Sequence, residues 1–132
     1  MPKGQCHCGA VKYEMPSETI YQALCHCRDC RRQSGAPVVG WALVPRDRLT
    51  VDGDTKEYAS SELGRRQFCG NCGTSLFYTN ETVFPGSIDV QIATLDDPDA
   101  LPPQIQVQVA ERIGWMTQVA DLPEFERYPD GP

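Results

Sequence analysis

The feature that most constrains this chain is the spacing of its seven cysteines, which arrive in three clusters. A C-x-C pair comes first, a C-x-C-x-x-C triplet second and a C-x-x-C pair last: Cys6 and Cys8; Cys25, Cys27 and Cys30; Cys69 and Cys72. Side chains alternate along extended backbone, so both sulfurs of a C-x-C pair lie on one face. A C-x-x-C step needs a tight turn, which brings a further sulfur to the same point. The triplet alone can therefore direct three thiolates at one metal ion.

A disulfide framework is the competing interpretation of so many cysteines. It requires a secreted protein, and an odd number of cysteines leaves one thiol over. The start of the chain, residues 1–5, carries no apolar signal region, and no apolar run is long enough to span a bilayer. We therefore expect a cytoplasmic protein whose clustered cysteines bind metal. Zinc is the favoured ion, and an iron–sulfur cluster is the lesser competitor for the same thiolates.

Composition narrows the class of protein and of partner. The chain has 132 residues, 40% of them apolar and 23% charged, as expected of one globular domain spanning residues 1–132. The net charge of −6 disfavours binding to a phosphate backbone, so we expect neither a nucleic-acid nor a membrane partner. The oligomeric state is not predicted.

Short stretches of alternating or apolar residues, separated by many glycines and prolines, predict a mainly β fold. We expect a helical turn at 28–34, a zinc-knuckle hairpin in which Gly70 and Gly73 allow left-handed backbone, and a frayed end at 129–132. Trp41 and Trp115 are expected in the core or in a pocket wall, and Ser34 in a turn. Strands are expected at 11–15, 20–24, 37–44, 56–60, 65–69, 74–79, within 83–94, and at 105–109.

The simplest partition of the cysteines closes one tetrahedral site from the two pairs and leaves the triplet as a second site. Four thiolates around zinc carry a formal charge of −2, which suits a structural role, whereas three carry −1 and leave one position open. Alternatives are a triplet closed by His26, His7 or Asp29, and a single structural zinc with three free thiols. In extended C-x-C backbone the His26 ring points away from the neighbouring sulfurs, which favours a supporting or surface role for both histidines.

The motifs resemble those of the glutathione-dependent formaldehyde-activating enzyme family, also called the centromere protein V family. The matching segments are G-x-C-x-C-G at 4–9, C-H-C-x-x-C-R at 25–31 and F-C-x-x-C-G at 68–73, with shorter matches at 58–61, 95–96, 115 and 122–125. The resemblance implies a β-tent fold and two zinc ions per chain. It implies a structural zinc on Cys6, Cys8, Cys69 and Cys72, and a catalytic zinc on Cys25, Cys27 and Cys30.

The activity implied by the resemblance is that of a carbon–sulfur lyase, which joins glutathione and formaldehyde to S-hydroxymethylglutathione or reverses that step. A substrate thiol can take the open zinc position as thiolate, because the metal lowers its pKa. Arg31 and Arg32 are candidates to pair with a substrate carboxylate, or else are solvated charges. The alternative functions are a non-catalytic, zinc-stabilised protein-interaction module and a thiol redox sensor.

Overall fold

The computed structural model describes residues 1–130, and these form a mainly β structure, as the sequence predicts. One α-helix, α1, spans Arg28–Ser34. Residues 131 and 132 of the predicted frayed end lie outside the described residues. The strands are β1 (Lys3–Gln5), β2 (Lys12–Glu14), β3 (Tyr21–Cys25), β4 (Val39–Pro45), β5 (Thr50–Asp52), β6 (Thr55–Ala59), β7 (Arg65–Cys69), β8 (Ser75–Thr79), β9 (Ser87–Gln91) and β10 (Ile105–Val107).

Two sheets organise these strands. The smaller has the order β1-β2-β5 and is antiparallel throughout. The larger has the order β10-β3-β4-β9-β8-β7-β6, with every pair antiparallel except β10 and β3, which run parallel. Short 3-10 helices follow several strands, at Arg46–Arg48, Ile92–Thr94, Pro98–Ala100, Val109–Glu111 and Gly114–Asp121. Among residues 1–130, no helix combines the length and apolar character of a membrane span.

The larger sheet buries different residues on its two faces because side chains alternate along each strand. On β4, Ala42 and Val44 belong to the main core, whereas Val39 and Trp41 belong to a second cluster with the cysteine triplet. The main core also takes residues from β2, whose Tyr13 ring meets Phe77 edge-on at 5.4 Å between centroids. One face of the sheet therefore carries the core, and the other carries the triplet.

Several local predictions are confirmed and others need correction. Helix α1 coincides with the predicted helical turn and ends at Gly35, whose φ of 76° favours a residue without a Cβ. Of the two glycines expected to allow left-handed backbone in the hairpin, Gly73 adopts it (φ 83°) and Gly70 does not. Strand β10 stops before the predicted residue 109, because Gln108 is itself left-handed at φ 57°.

The remaining differences concern segments whose partners are distant in sequence. Strands β1 and β5 were not predicted, because three-residue strands show no periodicity until their neighbour β2 is known. Trp41 is buried, as expected, whereas Trp115 is 56% exposed and belongs to no core cluster. Ser34 ends helix α1, where its hydroxyl donates to the carbonyl of Cys30 at 2.7 Å and accepts from the Ala36 N–H.

Candidate metal sites and the adjoining cavity

The four cysteines of the two pairs lie together, although about sixty residues separate the pairs in sequence. Cys6 and Cys8 precede β2, and Cys69 ends β7 just before the turn that holds Cys72. Their sulfurs all lie within 4.8 Å of one another, with 3.6 Å between Cys6 and Cys8 and 3.8 Å between Cys8 and Cys69. A zinc tetrahedron with Zn–S bonds of about 2.3 Å has sulfur–sulfur edges of about 3.8 Å. The cluster fits zinc and excludes a disulfide between these sulfurs.

Hydrogen bonds from the backbone favour the thiolate form of these sulfurs, although desolvation and the neighbouring thiols of Cys6 and Cys72 leave the pKa of Cys69 raised overall. The N–H of Val11 donates to Cys6 Sγ at 3.2 Å, and the N–H groups of Asn71 and Cys72 donate to Cys69 Sγ at 3.4 and 3.5 Å. The Thr74 hydroxyl, 3.2 Å from Cys72 Sγ, lowers the pKa of the Cys72 thiol to about 5. Donors of this kind stabilise the charged form of a ligand without adding a net charge.

The triplet forms a second cluster at the junction of β3 and α1. Cys25 ends β3, Cys27 caps α1 with a sulfur that accepts the Cys30 N–H at 3.3 Å, and Cys30 lies on the buried side of the helix. The three sulfurs lie within 4.8 Å of one another. Among residues 1–130 no His, Asp or Glu ligand atom joins them, so His7, His26 and Asp29 lie outside the cluster.

His26 lies opposite the sulfurs, as its place between two cysteines predicts. Its ring is 1% exposed, and Nε2 lies 2.8 Å from Oε1 of Gln106 on the parallel neighbour β10. The other ring nitrogen, Nδ1, has no hydrogen-bond partner among the described residues. His26 therefore ties β3 to β10 behind the cluster, whereas His7 is exposed.

A cavity of about 420 Å³ opens beside the triplet, and all three of its cysteines lie in the wall. The charged side chains in the wall come from four separate segments, so no local sequence motif indicates them. The non-cysteine lining consists of Tyr21, Ala23, Arg28, Asp29, Trp41, Arg66, Tyr78, Asn80, Val83, Phe84, Asp89, Val107, Gln108 and Glu111. None of the cysteines of the other cluster lies in it.

Arg66 and Asp89 are charged residues of the cavity wall that were not among the predicted site residues. Arg66 on β7 directs both terminal nitrogens at Cys30 Sγ, at 3.6 and 3.7 Å. The thiol of Cys25, and after it the charge of Arg66, lower the pKa of Cys30 to about 5. Burial raises the pKa of Asp89 on β9 to about 7. In the sequence, Asp89 is indicated by its place as a charged residue between two apolar residues of a predicted strand, Ile88-Asp89-Val90.

The structure places neither Arg31 nor Arg32 in the cavity wall. The Arg31 guanidinium donates to the backbone carbonyls of His26 and Glu111, at 3.2 and 3.3 Å, and so ties α1 to the segment after β10. Arg32 is exposed on the helix. The arginine of this helix that does line the cavity is Arg28, whose backbone N–H is held by Glu111 Oε1 at 3.1 Å.

Comparison with known proteins agrees with this arrangement. The family model described as "Glutathione-dependent formaldehyde-activating enzyme" matches residues 1–111. An uncharacterized lyase of Schizosaccharomyces pombe is 28% identical over 111 residues, which cover 74% of this chain and 81% of that protein. A Halomonas elongata protein, provisionally named as a glutathione-dependent formaldehyde-activating enzyme, is 26% identical over 142 residues, which cover 97% of this chain and 88% of that protein.

A solved structure extends the comparison to the fold. The crystal structure of a Rhodobacter sphaeroides protein matches with a TM-score of 0.59 and 26% sequence identity. The match covers 80% of this chain and 99% of that one. Because the family model matches well over half of the described residues, the chain belongs to the glutathione-dependent formaldehyde-activating enzyme family.

Proposed function

We propose that the protein is a zinc-dependent carbon–sulfur lyase acting on a thiol–aldehyde adduct of the S-hydroxymethylglutathione type. The observation that carries this proposal is the position of the cysteine triplet in the wall of a cavity, where a small molecule can reach its sulfurs. Family membership supports the same chemistry, since relatives are named for lyase or formaldehyde-activating activity.

We assign one zinc ion to each cysteine cluster. Cys6, Cys8, Cys69 and Cys72 would surround a structural ion with four thiolates, and Cys25, Cys27 and Cys30 would hold a catalytic one. Sulfur donors favour zinc over the hard ions magnesium and calcium, and the sulfur–sulfur distances of the first cluster match a zinc tetrahedron. Bound at the triplet, zinc would lower the pKa of a substrate thiol that coordinates it.

The reaction also needs a group that exchanges a proton with the substrate oxygen. When the adduct is cleaved, its hydroxyl loses a proton, the C–S bond breaks, and the electron pair of that bond stays on sulfur. Asp89 lies in the same cavity wall as the triplet, and its pKa of about 7 populates both carboxyl and carboxylate near neutral pH. We assign that proton to a carboxylate oxygen of Asp89, which returns it when the adduct forms.

Arg28 is our candidate for recognition of a glutathione carboxylate. Its side chain is exposed and lines the cavity, so the guanidinium is available for bidentate pairing, unlike that of Arg31. The aromatic rings of Tyr21, Trp41, Tyr78 and Phe84 form much of the remaining wall. The wall thus combines a cation for the substrate carboxylate with apolar surface that limits the access of water to the sulfurs.

The proposal is tested by native mass spectrometry together with exchange NMR on glutathione and ¹³C-formaldehyde. The wild-type protein should carry two zinc ions, bind one glutathione and accelerate the exchange between free aldehyde and adduct. Cys27→Ser should lose one zinc ion and the acceleration, whereas Arg32→Ala, on the same helix but outside the cavity, should change neither. A wild-type protein that carries two zinc ions but does not accelerate the exchange would refute the lyase proposal.

A further inference from the structure

Arg66 is a buried cation without a carboxylate partner. The residue is 3% exposed, and among residues 1–130 no Asp or Glu oxygen lies within 4.0 Å of its guanidinium. Burying an arginine is costly unless another charge or strong acceptor compensates it. The direct contacts are made with a sulfur: Nη1 and Nη2 lie 3.6 and 3.7 Å from Cys30 Sγ. Asp89, in the same cavity wall but beyond ion-pair distance, also interacts with Arg66, whose charge opposes the rise in the pKa of that carboxyl.

The guanidinium is held in this orientation by two further contacts. Its Nε donates to the Ser60 hydroxyl at 2.8 Å, and the Tyr78 ring covers one face, with 4.7 Å between Cζ and the ring centroid. Nε is thus bonded, one face of the guanidinium is covered and both terminal nitrogens are directed at the sulfur of Cys30. Although Arg66 lines the cavity, its contacts are made with the metal ligand and not with the cavity's contents.

The charge of this group complements the charge of the proposed metal site. Zinc with three thiolates carries a net charge of −1, and one guanidinium brings the total to zero. N–H donors to a ligating sulfur also withdraw electron density from it, which makes the site more electrophilic. The sulfurs of the four-cysteine cluster accept from the neutral N–H groups of Val11, Asn71 and Cys72, so the two clusters differ in their surroundings.

We propose that Arg66 is a positioning residue of the catalytic metal site: it holds the Cys30 sulfur as a ligand and neutralises the three-thiolate site through its two N–H···S contacts. The inference rests on the zinc assignment of the proposed function. It predicts that Arg66 controls metal affinity and the electronic state of the sulfur, whatever substrate the cavity accepts.

The test loads the full-length protein with cobalt(II), whose sulfur-to-metal charge-transfer band reports the electron density on the ligating sulfur. Arg66→Met removes the charge and the donors, Arg66→Lys keeps the charge but not the planar pair of donor nitrogens, and Arg65→Met is the matched control. Arg65 is the neighbouring residue on β7, and its guanidinium donates to the carbonyls of Ser61, Glu62 and Gly64. Chelator competition measures the affinity of each of the two metal sites.

We expect Arg66→Met to weaken binding of one metal ion by about 10- to 100-fold, the usual effect of removing a residue that supports a ligand. Its charge-transfer band should move to longer wavelength, because the sulfur loses its donors. Arg66→Lys should fall between Arg66→Met and wild type, and Arg65→Met should match wild type. The second ion should bind unchanged in every variant, which shows that the fold is retained.

Should Arg66→Met not fold, Ser60→Ala releases the guanidinium without removing its charge, and a smaller shift in the same direction is expected. The inference is overturned if Arg66→Met, or Ser60→Ala in its place, matches wild type in both affinity and band position. A wild-type chain that binds a single metal ion would instead refute the zinc assignment of the proposed function, and with it this inference. If the wild-type chain binds two metal ions and the variants match it, only the proposed role of Arg66 is refuted.

Discussion

Replacement of Asp89 by asparagine should change how the stability of the protein depends on pH. Asp89 is 6% exposed on β9, and burial is the main cause that raises its pKa from 3.8 to about 7. A carboxyl group whose pKa is higher in the folded than in the unfolded chain stabilises the fold while it is protonated. That contribution is fully present below about pH 4 and is lost as the pH rises through about 7.

The size of the effect follows from the shift. At about 1.36 kcal/mol per pKa unit, a shift from 3.8 to about 7 corresponds to about 4 kcal/mol in total, of which about 2.5 kcal/mol is lost between pH 5 and pH 8. The negative charge of a Cys30 thiolate contributes part of the shift, and bound zinc would reduce that part. The metal-free figure is therefore the upper bound for the zinc-loaded protein.

Urea unfolding at several pH values between 5 and 8 measures how the free energies of unfolding of wild type and Asp89→Asn differ at each pH. The free energy of unfolding of the variant should gain on that of wild type as the pH rises, by up to about 2.5 kcal/mol. Metal affinity also changes with pH, so both proteins are compared at the same pH and the same zinc concentration. Asp54→Asn, at an exposed turn, is the control and should follow wild type. If the free energies of unfolding of Asp89→Asn and wild type differ by the same amount at every pH from 5 to 8, the reasoning is refuted.

Three further predictions concern the core, the four-cysteine cluster and the cavity. Phe77→Ala removes a side chain that is 0% exposed and leaves a cavity in the core. It should lower the free energy of unfolding by about 3–5 kcal/mol, seen as a lower urea midpoint. Cys69→Ser should lose one zinc ion and the cooperative thermal transition in circular dichroism, because it breaks the link between the first strands and the late hairpin. Arg28→Ala should weaken glutathione binding by about tenfold or more in calorimetry, since a charge-assisted hydrogen bond contributes about 1.5–3 kcal/mol. Arg32→Ala should leave that binding unchanged.

The sequence alone predicted those features of the fold and of the cysteine clusters that depend on residues close together in the chain. The C-x-C and C-x-x-C spacings restrict which sulfurs can meet, because alternation and tight turns act over two or three residues. The structure brings together the same two groups of cysteines. The same local geometry turned His26 away from the sulfurs, and the small residue Gly35 marked the end of α1. The mainly β class and most strand positions followed from the alternation of apolar residues.

Tertiary structure decided what the triplet faces. Arg66, Tyr78 and Asp89 lie on strands β7, β8 and β9, which β4 separates from β3 in the sheet, yet they line the same cavity as the triplet at the junction of β3 and α1. Whether a strand residue faces the core or the cavity depends on which face of the sheet the other elements cover, and that coverage is set by pairings across many residues. For the same reason the guanidinium of Arg31, which is adjacent to the triplet in sequence, donates to the carbonyl of Glu111. Arg66, which is thirty-six residues from Cys30 in sequence, contacts the Cys30 sulfur. Local spacing determined which neighbouring sulfurs can converge, and long-range strand pairing determined what surrounds them.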